Sequence, residues 1–342
     1  MRVLVTGTDG YIGTMLVPAL TARGHEVIGV DTGFYRSGWL FNGANRLAAT
    51  INKDIRNLTV EDLQGCEAVV HMAELSNDPL GQLNPDITYK INHQGSLRLA
   101  QLCKEAGITR FVYMSSCSVY GVGEPGETKS EASMPQPQTA YAKCKVMVER
   151  DVLPMAADDF SPVFLRNATA YGPSPRMRFD IVLNNLSGLA WVTKEIKMTS
   201  DGSPWRPLVH ILDIANAIGC CLEAPREAIH GQIFNVGASR ENYQVRDIAA
   251  IVGEVFPECA VSFGNSDGDN RSYKVDFSKI NTQLPGFSCT YTARDGARQL
   301  LDVFERVAMQ REVFEGREYT RLKQLQYLIG QGWIDNNFFW KI

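Results

Sequence analysis

The first half of the chain alternates short apolar runs with longer segments of helical periodicity. Apolar runs rich in β-branched residues predict strands at 3–5, 27–30, 68–71 and 111–114. Segments with apolar residues three or four positions apart predict helices at 14–23, 91–105 and 141–151. Strands that alternate with helices in this way form parallel sheets covered on both faces. We therefore expect an α/β fold with a doubly wound parallel sheet.

The regular alternation ends near Arg166, after which loops rich in glycine and proline separate shorter elements. This change in pattern predicts a domain boundary, with a first domain over 1–165 and a second mainly over 166–342. Near the end of the chain, apolar residues recur at helical spacing and predict a helix packed against the core: Tyr319, Leu322, Leu325 and Leu328.

Composition narrows the classes of function. The chain has 342 residues, of which 44% are apolar, so it can bury a large core. A formal charge of −4 without a run of Lys and Arg argues against a nucleic-acid partner. No apolar run approaches the ~20 residues of a membrane span, and the apolar start breaks at Gly7, so we expect no membrane partner and a cytoplasmic protein.

Cysteine and histidine usage gives no sign of a metal site. The 8 cysteines form no CxxC pair and the 5 histidines are scattered. We expect most of the thiols to be buried and reduced.

A glycine-rich turn joins the first predicted strand to the first helix. Gly7, Gly10 and Gly13 would let the backbone approach a pyrophosphate at the helix N-terminus. Asp31 ends the second strand, where an acid accepts hydrogen bonds from an adenosine ribose and repels a 2′-phosphate. The pattern therefore predicts NAD rather than NADP as cofactor. Asp54 and Ile55 could cap the adenine, although a loop aspartate is as often a solvated turn residue.

Tyr141 and Lys145 stand four residues apart on a predicted helix, so their side chains share one face. A tyrosine has an ordinary pKa near ~10, and a neighbouring ammonium would lower it toward neutrality. The pair could therefore act as a tyrosinate base with its lysine activator. Spacing alone does not distinguish this pair from two surface residues.

Several ordered motifs together resemble those of the extended short-chain dehydrogenase/reductase family, in its subgroup of nucleotide-sugar epimerases and dehydratases. They are TGTDGYIG (6–13), HMAE (71–74), SSCSVYG (115–121), YAKCK (141–145), RNATAYGP (166–173) and RPLVHILDIA (206–215). The resemblance covers nearly the whole chain. It implies a Rossmann sheet, a smaller C-terminal substrate domain, the return of about 207–240 to that sheet, a nucleotide-sugar substrate and a homodimer.

The resemblance also assigns roles to residues. Tyr141 would be the acid-base, Lys145 would tune it and hold the nicotinamide ribose, and Ser116 would bind the reacting hydroxyl. The cofactor would be contacted by the glycine turn and by residues of the matching motifs: Tyr11, Ile12, Met72 and Ala73.

The residues after Ser116 bear on the reaction. Dehydratases of this family carry an Asp-Glu pair there, whereas this chain has Cys117-Ser118. A 4-epimerase needs no such pair, so C4 epimerisation through a transient 4-keto sugar is our leading interpretation. A Cys117 thiolate could instead abstract a proton beside the ketone, although in 3,5-epimerase relatives the cysteine matches position 118. A buried, inert thiol is the other interpretation.

Some candidate substrate contacts depart from the family pattern. Glu74 replaces the usual alanine of HxAA and, with Asn77 and Asp78, begins a loop expected to line the sugar pocket. Glu74 could also supply the carboxylate missing at position 118, which keeps a dehydratase open. The resemblance places further contacts to the nucleotide sugar in the second domain and just before it: Asn167, Asn184, Asn185, Arg206 and Arg271.

Other functions remain as alternatives. A 4,6- or 5,6-dehydratase, a 4-ketoreductase or a 3,5-epimerase would use the same cofactor site. A non-catalytic, NAD-sensing regulator belongs to a different class. Regulators of this kind usually lose the Tyr-Lys pair, which this chain keeps.

Overall fold

A seven-stranded parallel sheet forms the centre of the computed structural model, which describes residues 1–42, 49–76, 78–124, 126–265 and 271–341. Strand order in the sheet is β11-β7-β5-β4-β1-β2-β3. The strands are β1 (Arg2–Thr6), β2 (Glu26–Val30), β3 (Thr50–Ile51), β4 (Ala68–His71), β5 (Arg110–Ser116), β7 (Ser161–Asn167) and β11 (Gln232–Val236). The predicted α/β fold with a doubly wound parallel sheet is confirmed.

The chain reverses its direction of winding at β1. β2 pairs with one edge of β1, and β4 pairs with the other. Loops that leave the carboxyl ends of such neighbouring strands diverge and leave a crevice between them, which is where open α/β sheets bind ligands. This topology fixes the position of a candidate site before any side chain is considered.

Helices cover both faces of the sheet. Val3 and Val5 point to the face covered by α1 (Gly13–Ala22) and α7 (Ile211–Glu223). Leu4 points to the opposite face, beneath α4 (Ser96–Glu105) and α5 (Ala140–Val152). Successive strand residues alternate between faces, so an unbroken apolar strand serves both layers of core.

The helix predicted to begin at Ile91 begins earlier. α2 (Asp78–Leu83) is followed by α3 (Pro85–Thr88), a π-helical turn at Tyr89–Gly95 and then α4. Within the π turn, the Asn92 amide accepts a hydrogen bond from Leu75 N at 2.9 Å and donates one to Leu75 O at 3.0 Å. These bonds fix the loop after β4, which lies in the crevice.

The second half of the chain builds a smaller region with its own core. Its strands are β6 (Thr128–Lys129), β8 (Thr169–Tyr171), β9 (Glu195–Lys197), β10 (Trp205–His210), β12 (Asn242–Gln244), β13 (Ala260–Ser262) and β14 (Lys274–Val275). Its helices include α6 (Val182–Thr193), α9 (Val245–Val255), α11 (Ala293–Arg306) and α12 (Arg311–Glu315), whereas α8 (Arg226–Ile229) and α10 (Ser278–Gln283) pack on β7 and β11 of the large sheet. α6, α9 and α11 enclose a third apolar cluster.

The C-terminal helix packs on the apolar cluster that covers one face of the large sheet. α13 (Arg321–Gly330) buries Leu325 and Leu328 in the cluster beneath β2 and α4. The predicted helical spacing is therefore present, although Tyr319 precedes the helix and belongs to the third cluster. The boundary at 165 stays a prediction.

The described residues contain neither a membrane-spanning helix nor a cluster of metal ligands. Across these ranges, no helix is both long and apolar enough to cross a bilayer. Over the same part of the chain, no group of three or more metal-ligating side chains comes together, and the eight cysteines are unpaired thiols.

Candidate active site

The crevice at β1 holds a cavity whose floor is the glycine-rich turn. Gly7 has a φ of 82°, in the left-handed region that favours glycine. A side chain at Gly13 would bring its Cβ to 2.3 Å from Gly7 O, so only glycine allows this approach of turn and helix. Tyr11, Ile12 and Gly13 line the cavity where α1 begins, and the N-terminus of a helix suits a diphosphate. These residues fit a dinucleotide.

The other predicted cofactor residues line the same cavity. They are Gly10, Tyr11, Ile12, Asp31, Asp54, Ile55, Met72 and Ala73. Asp31 accepts hydrogen bonds from Gly33 N at 2.7 Å and Asp9 N at 3.0 Å, which hold its carboxylate at the cavity edge. Burial raises the pKa of Asp31, and the neighbouring Asp9 raises it further.

Asp54 is also engaged by a neighbour. Its carboxylate pairs with the Arg56 guanidinium at 2.8 Å and caps the following turn. Ile55 is buried and faces the cavity with its side chain. Contact of these two residues with an adenine stays a prediction.

Tyr141 and Lys145 project from the first turns of α5 into a second, adjoining cavity. Thr139 caps the helix through a hydrogen bond from Ala142 N at 3.2 Å, which sets where the helix begins. Lys145 Nζ lies 5.4 Å from the centre of the Tyr141 ring. The Ser116 hydroxyl, at the end of β5, lines the same cavity and lowers the pKa of the Tyr141 phenol. The predicted trio is therefore assembled in one place.

Glu74 lies beside this trio. Its Oε2 is 2.6 Å from Lys145 Nζ, and both side chains are almost fully buried. Its Oε1 accepts a hydrogen bond from Tyr113 at 2.6 Å. Lys145 also donates to Met114 O. Glu74 borders both cavities, so this carboxylate stands between the predicted cofactor and sugar regions.

The charges around Tyr141 oppose one another. Burial raises the pKa of Tyr141, Glu74 and Asp78 raise it further, and Arg178 lowers it. Burial also raises the pKa of Glu74, against the attraction of Lys145. Activation of Tyr141 therefore depends on the balance between the cationic and anionic side chains that face it.

Cys117 is not in the cavity, so the predicted catalytic role does not match the structure. Its side chain is buried beneath the turn after β5, and its thiol donates to Arg166 O at 3.1 Å. Burial raises the pKa of this thiol well above its ordinary value. A thiolate is therefore disfavoured there, and the alternative of an inert thiol agrees with the geometry.

Most predicted substrate residues line the second cavity: Glu74, Ser116, Asn167, Asn185, Arg206 and Arg271. Arg206 and Arg271 lie next to each other, since Arg206 Nη1 donates to Arg271 O, and Arg271 forms an ion pair with Asp78. Asn167 donates to Ser115 O and Leu165 O, and its Oδ1 is buried with no hydrogen-bond donor in the part of the chain that the structure describes. Asn77 lies outside the described residues.

Asn184 is not positioned to contact substrate, contrary to the prediction from the sequence. Its side chain is fully buried and accepts from Gly172 N at 3.1 Å while donating to the Tyr11 hydroxyl at 3.2 Å. All of these partners belong to the fold, so Asn184 joins the second domain to the glycine turn. Asn185, one position further along α6, faces the cavity instead.

Sequence reasoning missed an arginine that borders both cavities. Arg178 is buried, pairs with Asp180 at 2.8 Å and reaches Ser76 Oγ at 3.4 Å. Despite burial, Arg178 holds the pKa of Asp180 below its ordinary value. A signal was present in the sequence, since two arginines follow YGPSP within a short loop.

Comparisons with known proteins agree with this site. The profile of the NAD dependent epimerase/dehydratase family matches residues 3–237. The UDP-glucose 4-epimerase of Mycolicibacterium smegmatis is 30% identical over 325 residues, which cover 89% of this chain and 98% of that protein. The matching region is more than half of the chain. The chain therefore belongs to the NAD-dependent epimerase/dehydratase family.

Solved structures support the same conclusion. MoeE5, in complex with UDP-glucuronic acid and NAD, is 26% identical with a TM-score of 0.76, covering 90% of this chain and 99% of that one. The UDP-glucuronic acid 4-epimerase from Bacillus cereus, in complex with UDP-glucuronic acid and NAD, is 25% identical with a TM-score of 0.75, covering 90% and 100%. The predicted resemblance, Rossmann fold and NAD cofactor are confirmed.

Proposed function

We propose that this protein is a nucleotide-sugar 4-epimerase that inverts C4 of a UDP-hexose through a transient 4-keto sugar. The observation that carries the proposal is the assembly of Tyr141, Lys145 and Ser116 on one cavity wall, next to a cavity that fits NAD. The residues after Ser116 provide no carboxylate for removal of water. The choice of uridine rests on similarity to UDP-glucose 4-epimerases.

Each side chain has a defined task in this reaction. The Tyr141 phenolate takes the proton of the C4 hydroxyl, and Ser116 holds that hydroxyl by a hydrogen bond. Lys145 stabilises the phenolate by its charge. Bound NAD supplies the acceptor for the C4 hydride. Once the ketone has turned in the cavity and is reduced on its opposite face, the Tyr141 phenol would give its proton back to the C4 oxygen.

The nucleotide half of the substrate would lie in the part of the second cavity that Arg206 and Arg271 line. Arg206 and Arg271 present planar guanidinium groups there, which suit the oxygens of a diphosphate. Asn185 adds an amide donor. Substrate would then have to compete with Asp78 for Arg271.

A dehydratase is the second candidate, and one observation favours it. Glu74 and Asp180 are carboxylates on the walls of the predicted sugar cavity. Either could act as a base on a carbon next to the ketone. The two candidates differ in product, because a dehydratase releases water and an epimerase conserves mass.

Product analysis tests this assignment. The purified protein is incubated with NAD and a panel of UDP-, GDP-, CDP- and dTDP-sugars. The products are separated by chromatography, and their masses are measured by mass spectrometry. We expect a UDP-hexose to give an isomer of unchanged mass without added NADH. Tyr141→Phe should abolish turnover while NAD remains bound, and Lys143→Gln, on the same helix outside the cavity, should not. Loss of water would contradict epimerisation, and activity in Tyr141→Phe would contradict the assigned base.

We also propose a homodimer whose interface includes α5, by analogy with relatives. Light scattering after gel filtration should give twice the mass of one chain. A particle of 38.0 kDa would contradict the dimer. The cytoplasmic location stays a prediction.

A further inference from the structure

The cofactor cavity contains a buried arginine that the family motifs do not include. Arg321 is the first residue of α13, lies beyond the region that matches the family profile, and lines the same cavity as the glycine turn. Its side chain is 3% exposed. The C-terminal helix therefore brings a guanidinium into the NAD site.

One nitrogen of this guanidinium has no hydrogen-bond acceptor among the described residues. Arg321 Nη2 is buried without a hydrogen-bond partner. The group stacks over the Tyr35 ring, 4.3 Å from its centre, and Tyr35 also lines the cavity. A buried guanidinium nitrogen without an acceptor is costly, so its position indicates an anionic ligand that the cavity would receive.

Nearby charges point the same way. Arg178 is a second buried arginine on this cavity, but its guanidinium is already paired with Asp180. Burial, with repulsion from Arg178, lowers the pKa of Arg321 to about 10. The group stays cationic at neutral pH. A bound anion would offset both the burial of this charge and its repulsion by Arg178.

Contacts between the C-terminal segment and the cavity wall hold Arg321 in place. Gln324, one turn along α13, donates to Phe34 O at 2.9 Å. Trp340 donates to Thr32 O at 2.7 Å. Thr32 and Phe34 both line the cavity. The end of the chain is therefore attached to the loop that follows Asp31.

We propose that Arg321 binds the diphosphate of NAD, so that the C-terminal helix completes the cofactor site. The glycine turn and the start of α1 line this same cavity, and the N-terminus of a helix suits the same diphosphate. A guanidinium provides paired, charge-assisted hydrogen bonds to phosphate oxygens. The inference concerns cofactor binding and goes beyond the proposed sugar reaction.

Calorimetry on the full-length protein, freed of bound dinucleotide, tests this role without any sugar. Arg321→Met should weaken the binding of NAD, ADP-ribose and ADP by a similar factor. We expect about 10- to 100-fold, which is the usual loss of affinity when a hydrogen bond to a charged group is removed. Adenosine, which lacks the diphosphate, should bind with unchanged affinity. Arg321→Lys keeps the positive charge without the planar guanidinium that gives paired hydrogen bonds. It should therefore lose less NAD affinity than Arg321→Met.

The control is Lys323→Gln, an exposed substitution on the same helix, which should leave NAD affinity unchanged. Equal NAD affinity of Arg321→Met and the unaltered protein would overturn the proposal. An equal loss for adenosine and NAD would also overturn it, because it would indicate that Arg321 only maintains the shape of the cavity. Either result is independent of which sugar reaction the enzyme catalyses.

Discussion

Replacing Glu74 by glutamine should move the pH dependence of turnover to lower pH. Glutamine keeps the size of the side chain and its contact with Tyr113 but removes the charge beside Lys145. Since the Tyr141 phenolate takes the substrate proton, activity rises as pH passes through the pKa of Tyr141. Glu74 raises that pKa, so its removal lowers the pKa and shifts the rising limb down.

The distances give the size of the shift. Glu74 Oε2 lies 2.6 Å from Lys145 Nζ, which lies 5.4 Å from the Tyr141 ring centre, so the carboxylate is within about 8 Å of the ring. A unit charge at that distance is worth about 2 kcal/mol at an effective dielectric constant of ~20. One pKa unit corresponds to about 1.4 kcal/mol, so we expect a shift of about one and a half pH units.

The assay is the initial rate of epimerisation at saturating UDP-hexose across the pH range in which both proteins remain folded. The other charged and titratable groups that face Glu74 and Tyr141 are the same in both proteins: His71, Asp78, Tyr113, Cys144, Lys145 and Arg178. Tyr113→Phe is the matched control, because it removes a hydrogen bond to Glu74 without changing a charge. An unchanged profile in Glu74→Gln, or a shift to higher pH, would refute this reasoning.

Three further predictions concern residues that surround the cavities and support them. Gly13→Ala should reduce NAD affinity by about tenfold or more, measured by calorimetry, because its Cβ would displace the Gly7 backbone from the phosphate site. Glu149→Gln should lower the free energy of unfolding by about 3–5 kcal/mol in a denaturant titration, because it leaves Arg166, now paired at 2.6 Å, buried without its carboxylate. Cys117→Ala should leave turnover within about twofold, whereas a tenfold loss of rate would restore the thiol as a catalytic candidate.

Local signals account for the predicted residues that the structure brings to the two cavities. Gly7, Gly10 and Gly13 act through backbone geometry within one turn, so their spacing is visible in the sequence. Tyr141 and Lys145 share a helix face, which follows from helical periodicity alone. The strand order placed both motifs at the carboxyl edge of one sheet.

The parts that sequence reasoning missed depend on contacts between distant segments. Asn184 and Asn185 are neighbours on α6, and only the packing of that helix against Tyr11 determines which of them faces the cavity. The partner of Glu74 is 71 positions away. Arg321 reaches the NAD cavity because α13 folds back onto the first domain, and no local pattern encodes that return.

The most direct test of the proposed reaction uses UDP-glucose that carries deuterium at C4. If Tyr141 and the cofactor oxidise and reduce the same carbon within one site, the C4 epimer should form with its deuterium retained and its mass unchanged. A product that has lost water, or an epimer that has exchanged its deuterium for solvent hydrogen, would contradict the account.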